Sequence, residues 1–133
     1  MNPYSTEVYN EIIALFPQLE GLNKQDTDLL EFKFENDHET QMGSIYVQTS
    51  EDDAIWIRAD HFYTTYAVDS VEELIYILGG LISNEMFWVV AYEEEEWDDS
   101  FFALKGHEIE MEQGIDYKIL SWDGKEDQFI KGE

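Results

Sequence analysis

Three histidines and 31 carboxylates, with no cysteine, are the side chains with which this 133-residue chain could do chemistry. Without cysteine there are no disulfides, no thiolate nucleophile and no cysteine-bound zinc. His38, His61 and His107 are scattered and show no ligand spacing such as two histidines four apart on a helix. His61 follows Asp60 in "RADHFYTTY", where a carboxylate would orient a base, but no serine in a strained turn stands nearby as its nucleophile. A partly buried histidine at a strand end is the reading taken. Two carboxylates suffice for glycoside hydrolysis, yet with so many acids the closeness of any two carries no information. Neither Glu51, Asp52 and Asp53 nor the run at 93–99 has the alternating ligands and glycine of an EF-hand loop. "LGGL" lies within a helical pattern instead of opening a helix after a strand, so it is no phosphate loop. No enzyme activity, metal or cofactor is expected.

The stretch that remains is "YEEEEWDDSFF", residues 92–102. Glu93, Glu94, Glu95, Glu96, Asp98 and Asp99 surround Trp97. Successive glutamates repel one another and suit strands poorly, which predicts a solvated connection between a strand ending near Tyr92 and one starting near Ser100. Trp97 fits that picture badly. A large aromatic at a loop tip either tucks onto the core or anchors a partner, and carboxylates around it would meet Lys and Arg on the other side. The expectation is an acidic docking loop with one aromatic anchor. Glu51, Asp52 and Asp53 form a second candidate patch.

The charge of the whole chain agrees with such a partner. Against 31 acids stand 7 bases, a formal charge of −24. The first 66 residues hold 13 acids and 3 bases and the remaining 67 hold 18 and 4, so the charge is spread through the body and is not confined to a tail. This field repels nucleic acid and anionic lipid and draws in cationic proteins. The chain is 44% hydrophobic and 15% aromatic, enough apolar surface to offset the entropy of ordering. Its length suits one domain, 1–133. The amino terminus lacks a basic region and an apolar run, and no segment approaches the roughly 20 apolar residues of a membrane span, which leads to a cytoplasmic location as the expectation.

The elements that must position these residues follow from periodicity. "PYSTEVYNEIIALF" reads as an amphipathic helix capped by Ser5, stapled by Tyr4 and Tyr9 and ended by Pro17. "LLEFKFEN" alternates as a half-buried strand, and "GSIYVQTS", "AIWIRAD" and "FYTTYAV" continue an antiparallel meander. A capping box, Ser70 with Glu73, opens a second helix whose apolar stripe is Val71, Leu74, Ile75, Leu78, Leu81 and Ile82. Gly79 and Gly80 inside it point to close packing on the sheet. "MFWVVAY" reads as a central strand buried on both faces. "SFFALK", "HEIEM" and "YKILSW" read as three short strands, followed by a last turn or strand in "GKEDQFIKGE". The expected fold is α+β, with two helices on one strongly curled antiparallel sheet of six or seven strands.

"IWIRADHFYTTYAVDSVEELIYILGGLIS" followed by "FWVVAYEEEEWDDSFFAL" resembles the small bacterial immunity proteins of polymorphic toxin systems. In many of these a strand, a capped helix and another strand precede a loop carrying tryptophan. The resemblance implies a non-enzymatic cytoplasmic protein that binds one cognate toxin. The leading expectation is therefore an inhibitor that occludes the active site of a basic partner protein. The alternatives are a nucleic-acid mimic acting on a DNA-binding or defence enzyme, and a carboxylate-dependent hydrolase. A mimic calls for acids in long rows along helices or edges, whereas here the exposed helix faces are only modestly acidic and the densest acids are expected in loops, which favours the inhibitor.

Overall fold

Alternation of apolar and polar residues builds two antiparallel sheets, seen in a computed structural model that describes residues 2–17, 29–50, 52–61 and 64–132. The first is a meander of β1 (Glu31–Phe34), β2 (Ile45–Thr49), β3 (Ile55–Ala59) and β4 (Thr65–Val68), each hydrogen-bonded to the next. Phe32, Phe34, Ile45, Val47, Ile55 and Ile57 point inward and are buried. On its other face Arg58 lies 4.0 Å from the Tyr46 ring centroid. The second comprises β5 (Met86–Glu93), β6 (Glu96–Leu104), β7 (Ile115–Leu120) and β8 (Gln128–Ile130), in the spatial order β6, β5, β7, β8.

The α+β class thus holds, but the single, strongly curled sheet of six or seven strands does not: among the described residues eight strands form two sheets of four. The division arises at the connection after β4. Instead of a hairpin, a helix carries the chain onward, so β5 pairs with β6 and β7 and not with β4. "HEIEM" also fails as a strand, because residues 107–112 form no ladder. Their alternation is a strand pattern, but the segment joins neither edge of the second sheet, β6 or β8. The chain there folds back over the sheet, where the Glu112 N–H donates to the Tyr117 hydroxyl at 2.9 Å.

The first helix, α1 (Pro3–Leu15), starts earlier than expected. Asn2 caps it, accepting the Ser5 N–H at 2.8 Å, and Pro3 occupies a first-turn position that needs no donor. Ser5 is therefore no cap: its buried hydroxyl lies 2.7 Å from the Thr49 hydroxyl and ties the helix to β2. The shift also removes the staple, and Tyr9 instead stacks on Phe32 at 5.6 Å. The second helix, α2 (Val71–Ile82), has the expected start. Ser70 accepts the Glu73 N–H at 3.1 Å, while the Glu73 carboxylate takes the N–H of Asp69 at 3.2 Å. Burial of the Tyr66 hydroxyl, helped by the nearby charges of Glu73 and Asp69, raises its pKa. The helix buries Leu74, Ile77, Leu78 and Leu81, while Val71, Ile75 and Ile82 of the expected stripe are only half-buried.

These elements enclose a main core in which Val8, Phe32, Ile57, Leu78 and Trp88 belong to one cluster. β5 is buried on both faces, as its sequence implies. Trp88 and Val90 face the main core, whereas Val89 and Ala91 join a smaller cluster with Ile115, Tyr117 and Ile119 on the other side. The second sheet is thus a wall between two apolar layers, and this two-sidedness governs how the acidic run is displayed. No helix among the described residues is long and apolar enough to cross a membrane.

Candidate functional site

The acidic run is not a loop. Glu93 pairs with Glu96 and Tyr92 with Trp97, so the ladder of β5 and β6 continues to a two-residue turn at Glu94 and Glu95. Both turn residues are left-handed, with φ of 49° and 70°. Hairpin turns of this length match the twist of the strands only with such angles, which is why Asn-Gly is the usual pair. A glutamate there costs on the order of 1–3 kcal/mol. The acids stay in the ladder because β5 and β6 are anchored by the apolar pairs Val89–Phe101 and Trp88–Phe102 further along. Packing there outweighs poor propensity at the tip.

One irregularity decides where Trp97 points. The register shifts between Ala91 and Tyr92: Ala91 is opposite Asp99 and Tyr92 opposite Trp97, leaving Asp98 as an extra residue. In a regular strand Trp97 and Ser100, three apart, would lie on opposite faces. The bulge puts them on the same face, where the indole N–H donates to the Ser100 hydroxyl at 3.0 Å. Trp97 remains 45% exposed. The hydrogen bond ties the indole to β6, so that it neither stands free of the strand nor sinks into the core.

The pleat separates the tryptophan from most of its acidic neighbours in sequence. Trp97 shares the main-core face with Tyr92, whereas Glu93, Glu96 and Asp99 register with the opposite face. There Asp98 and Asp99 line a recess of about 480 Å³ together with Glu110 and Glu112 of the 105–114 connection. Phe101, Met111 and Tyr117 supply its apolar wall. Such a recess suits a Lys or Arg side chain, whose stem lies on apolar surface while its head meets carboxylates. Glu110 and Glu112 were not singled out from sequence. The alternation in "HEIEM" signalled a strand, and only the fold brings those acids to β6.

The second patch is elsewhere. Glu51 lies outside the described residues; Asp52 and Asp53 are exposed in the turn between β2 and β3, where the Asp53 N–H donates to the Ser50 carbonyl at 3.2 Å. That turn belongs to the first sheet and lies close enough to Tyr4 for the Asp53 charge to raise the Tyr4 pKa, alongside burial as the larger cause. Strand pairing does not join it to the hairpin at 93–99.

His61 is half-buried just after the end of β3. The Asp60 carboxylate accepts the Ser44 N–H at 2.8 Å, linking the end of β3 to β2. His38 and His107 are exposed. Among the described residues, no group of three or more His, Asp or Glu is placed to hold a metal. Gly80 fits the close-packing expectation, since a Cβ there would stand 2.9 Å from the Met86 Cβ, whereas Gly79 borders open space. No protein-family model, curated protein or solved structure matches the chain.

Proposed function

We propose that the protein is a non-enzymatic inhibitor of a basic partner protein, a cognate toxin enzyme, and that the hairpin end from Tyr92 to Asp99 enters and occludes the partner's active-site cleft. The observation that supports this most is the display of Trp97. An indole 45% exposed, hydrogen-bonded to Ser100, stands on a paired hairpin whose opposite face is acidic. Aromatic side chains held in this way supply much of the binding energy at interfaces. The carboxylates would steer a cationic partner into place and pair with its Lys and Arg. A cleft that closes around the hairpin would touch both faces, which fits occlusion better than a flat contact.

The test starts with capture of partners from the host lysate by the tagged protein at low and then moderate salt, with duplex DNA as competitor. One stoichiometric basic protein that survives both challenges, and whose activity is blocked, is the expected result. Trp97→Ala should then weaken its binding by about 2 kcal/mol, as for a central aromatic anchor, without changing the fold. Displacement of several nucleic-acid enzymes by DNA would replace inhibition with mimicry. Unchanged affinity in the Trp97 variant would remove the hairpin from the interface.

A further inference from the structure

Only 7 basic residues are present in the chain, yet two of them line one small recess on the tryptophan side of the hairpin. The register explains why. Lys118 stands opposite Val90 on one side and Phe129 on the other, so it shares the main-core face with Tyr92 and Trp97. Beyond the end of the core that face opens to solvent. Tyr92, Asp116, Lys118, Phe129 and Lys131, with Glu95 at the rim, enclose about 270 Å³ there. The Lys118 ammonium lies 5.7 Å from the Tyr92 ring centroid, and Phe129 is 60% exposed.

Asp116 is already engaged, accepting the Gly132 N–H at 2.7 Å. Among the described residues, Lys118 and Lys131 form no ion pair with a carboxylate, as is also true of Arg58, Lys105 and Lys125; what sets the two apart is that they converge on one recess. The recess has two cations balanced by Asp116 and Glu95, next to two ring faces. It is a neutral island on a strongly negative body. A uniformly basic partner surface would gain less from this recess than from the acidic face of the hairpin.

We infer that this recess receives a carboxylate side chain of the same partner, an Asp or Glu that stands beside the partner's basic surface. The inference rests on the proposed inhibitor reading and refines it. The acids of the hairpin's other face supply attraction and speed, while Lys118 and Lys131 fix register by demanding one acid at one place. Tyr92 and Phe129 would cover the stem of that side chain. A cleft with basic residues along one wall and a carboxylate on the other meets both requirements.

The recess is tested first without the partner, by NMR titration with 3-phenylpropionate, which joins a carboxylate to a ring. Saturable shifts at Lys118, Lys131 and Phe129 are expected, larger than at Lys33, Lys105 and Lys125 and absent with neutral 3-phenylpropanamide. Equal shifts at all five lysines, or equal binding of the amide, would overturn the recess as a carboxylate site. The captured partner then gives a test of sign. Lys118→Glu with Lys131→Glu makes the protein more acidic, so general electrostatic attraction predicts tighter binding, whereas the inference predicts at least tenfold weaker binding. Unchanged or tighter binding would sink the inference and leave the inhibitor reading standing. An inert Trp97→Ala variant would instead remove the hairpin from the interface. Lys118→Gln with Lys131→Gln, which leaves the strands unstrained, should abolish the phenylpropionate shifts and lower affinity in the same direction.

Discussion

Glu94 and Glu95 are the two residues at which local preference and observed conformation disagree most. Each adopts a left-handed φ for which glutamate is a poor choice, at the tip of a hairpin that Asn and Gly would close with less strain. Local rules are broken most often where function compensates, and here the strain retains two charges at the foremost point of the hairpin. Glu94→Asn with Glu95→Gly should therefore raise stability by roughly 1–3 kcal/mol, measured by urea denaturation. The same variant should associate more slowly with the captured partner in stopped-flow measurements. A destabilised variant would show that the glutamates make contacts that outweigh their backbone strain. Trp97 teaches the complementary lesson. Its identity makes it stand out in the sequence, but its direction depends on the extra residue Asp98 in the ladder.

At the scale of elements, α2 separates the two sheets and ties them to one core. Its two glycines, adjacent in sequence, have different surroundings. A Cβ at Gly80 would press on Met86 at the start of β5, while one at Gly79 would meet nothing within 4 Å. Gly79→Ala should stabilise the protein by about 1 kcal/mol through helix propensity. Gly80→Ala should lose that gain and cost about 1–3 kcal/mol from overpacking. Thermal denaturation of the two variants checks both signs, and equal stabilisation would mean that Met86 yields without cost. Much of each element was legible in advance, because the capping box of α2, the alternation of β1 to β3 and the apolar run of β5 are local signals. The start of α1 was not. Asn2 and Ser5 are both good caps, and what decided between them was Thr49, a partner 44 residues away from Ser5 that withdraws its hydroxyl into the core.

Over the whole molecule, the charge of −24 acts as a long-range field. Association with a basic partner should be fastest at low ionic strength. It should slow by about tenfold or more on moving to 0.15 M salt, where the screening length is roughly 8 Å. On the proposed reading, in which Trp97 and its neighbours form the contact, dissociation should change much less. Stopped-flow association and dissociation rates across a salt series check this, and a salt-independent association rate would mean that the field has no role in encounter. The field does not place the contact. Acids are spread through both halves of the chain, so net charge by itself does not locate a contact.

The sequence by itself determined the α+β composition, the positions of most helices and strands, the burial of β5 on both faces and the sign of the electrostatic field. Each depends on periodicity, capping or counting, which are properties of short segments or of the sum. The tertiary structure alone decided that the strands divide into two sheets, that "YEEEEWDD" continues a ladder, and that "HEIEM" does not form one. It also decided that Trp97 and its flanking acids lie on opposite faces, with Glu110 and Glu112 beside the acids and Lys118 and Lys131 on the tryptophan side. The reason is that strand pairing is a contest among partners distant in the chain. A ladder needs an available neighbour, and one bulged residue reverses which face every side chain beyond it will occupy.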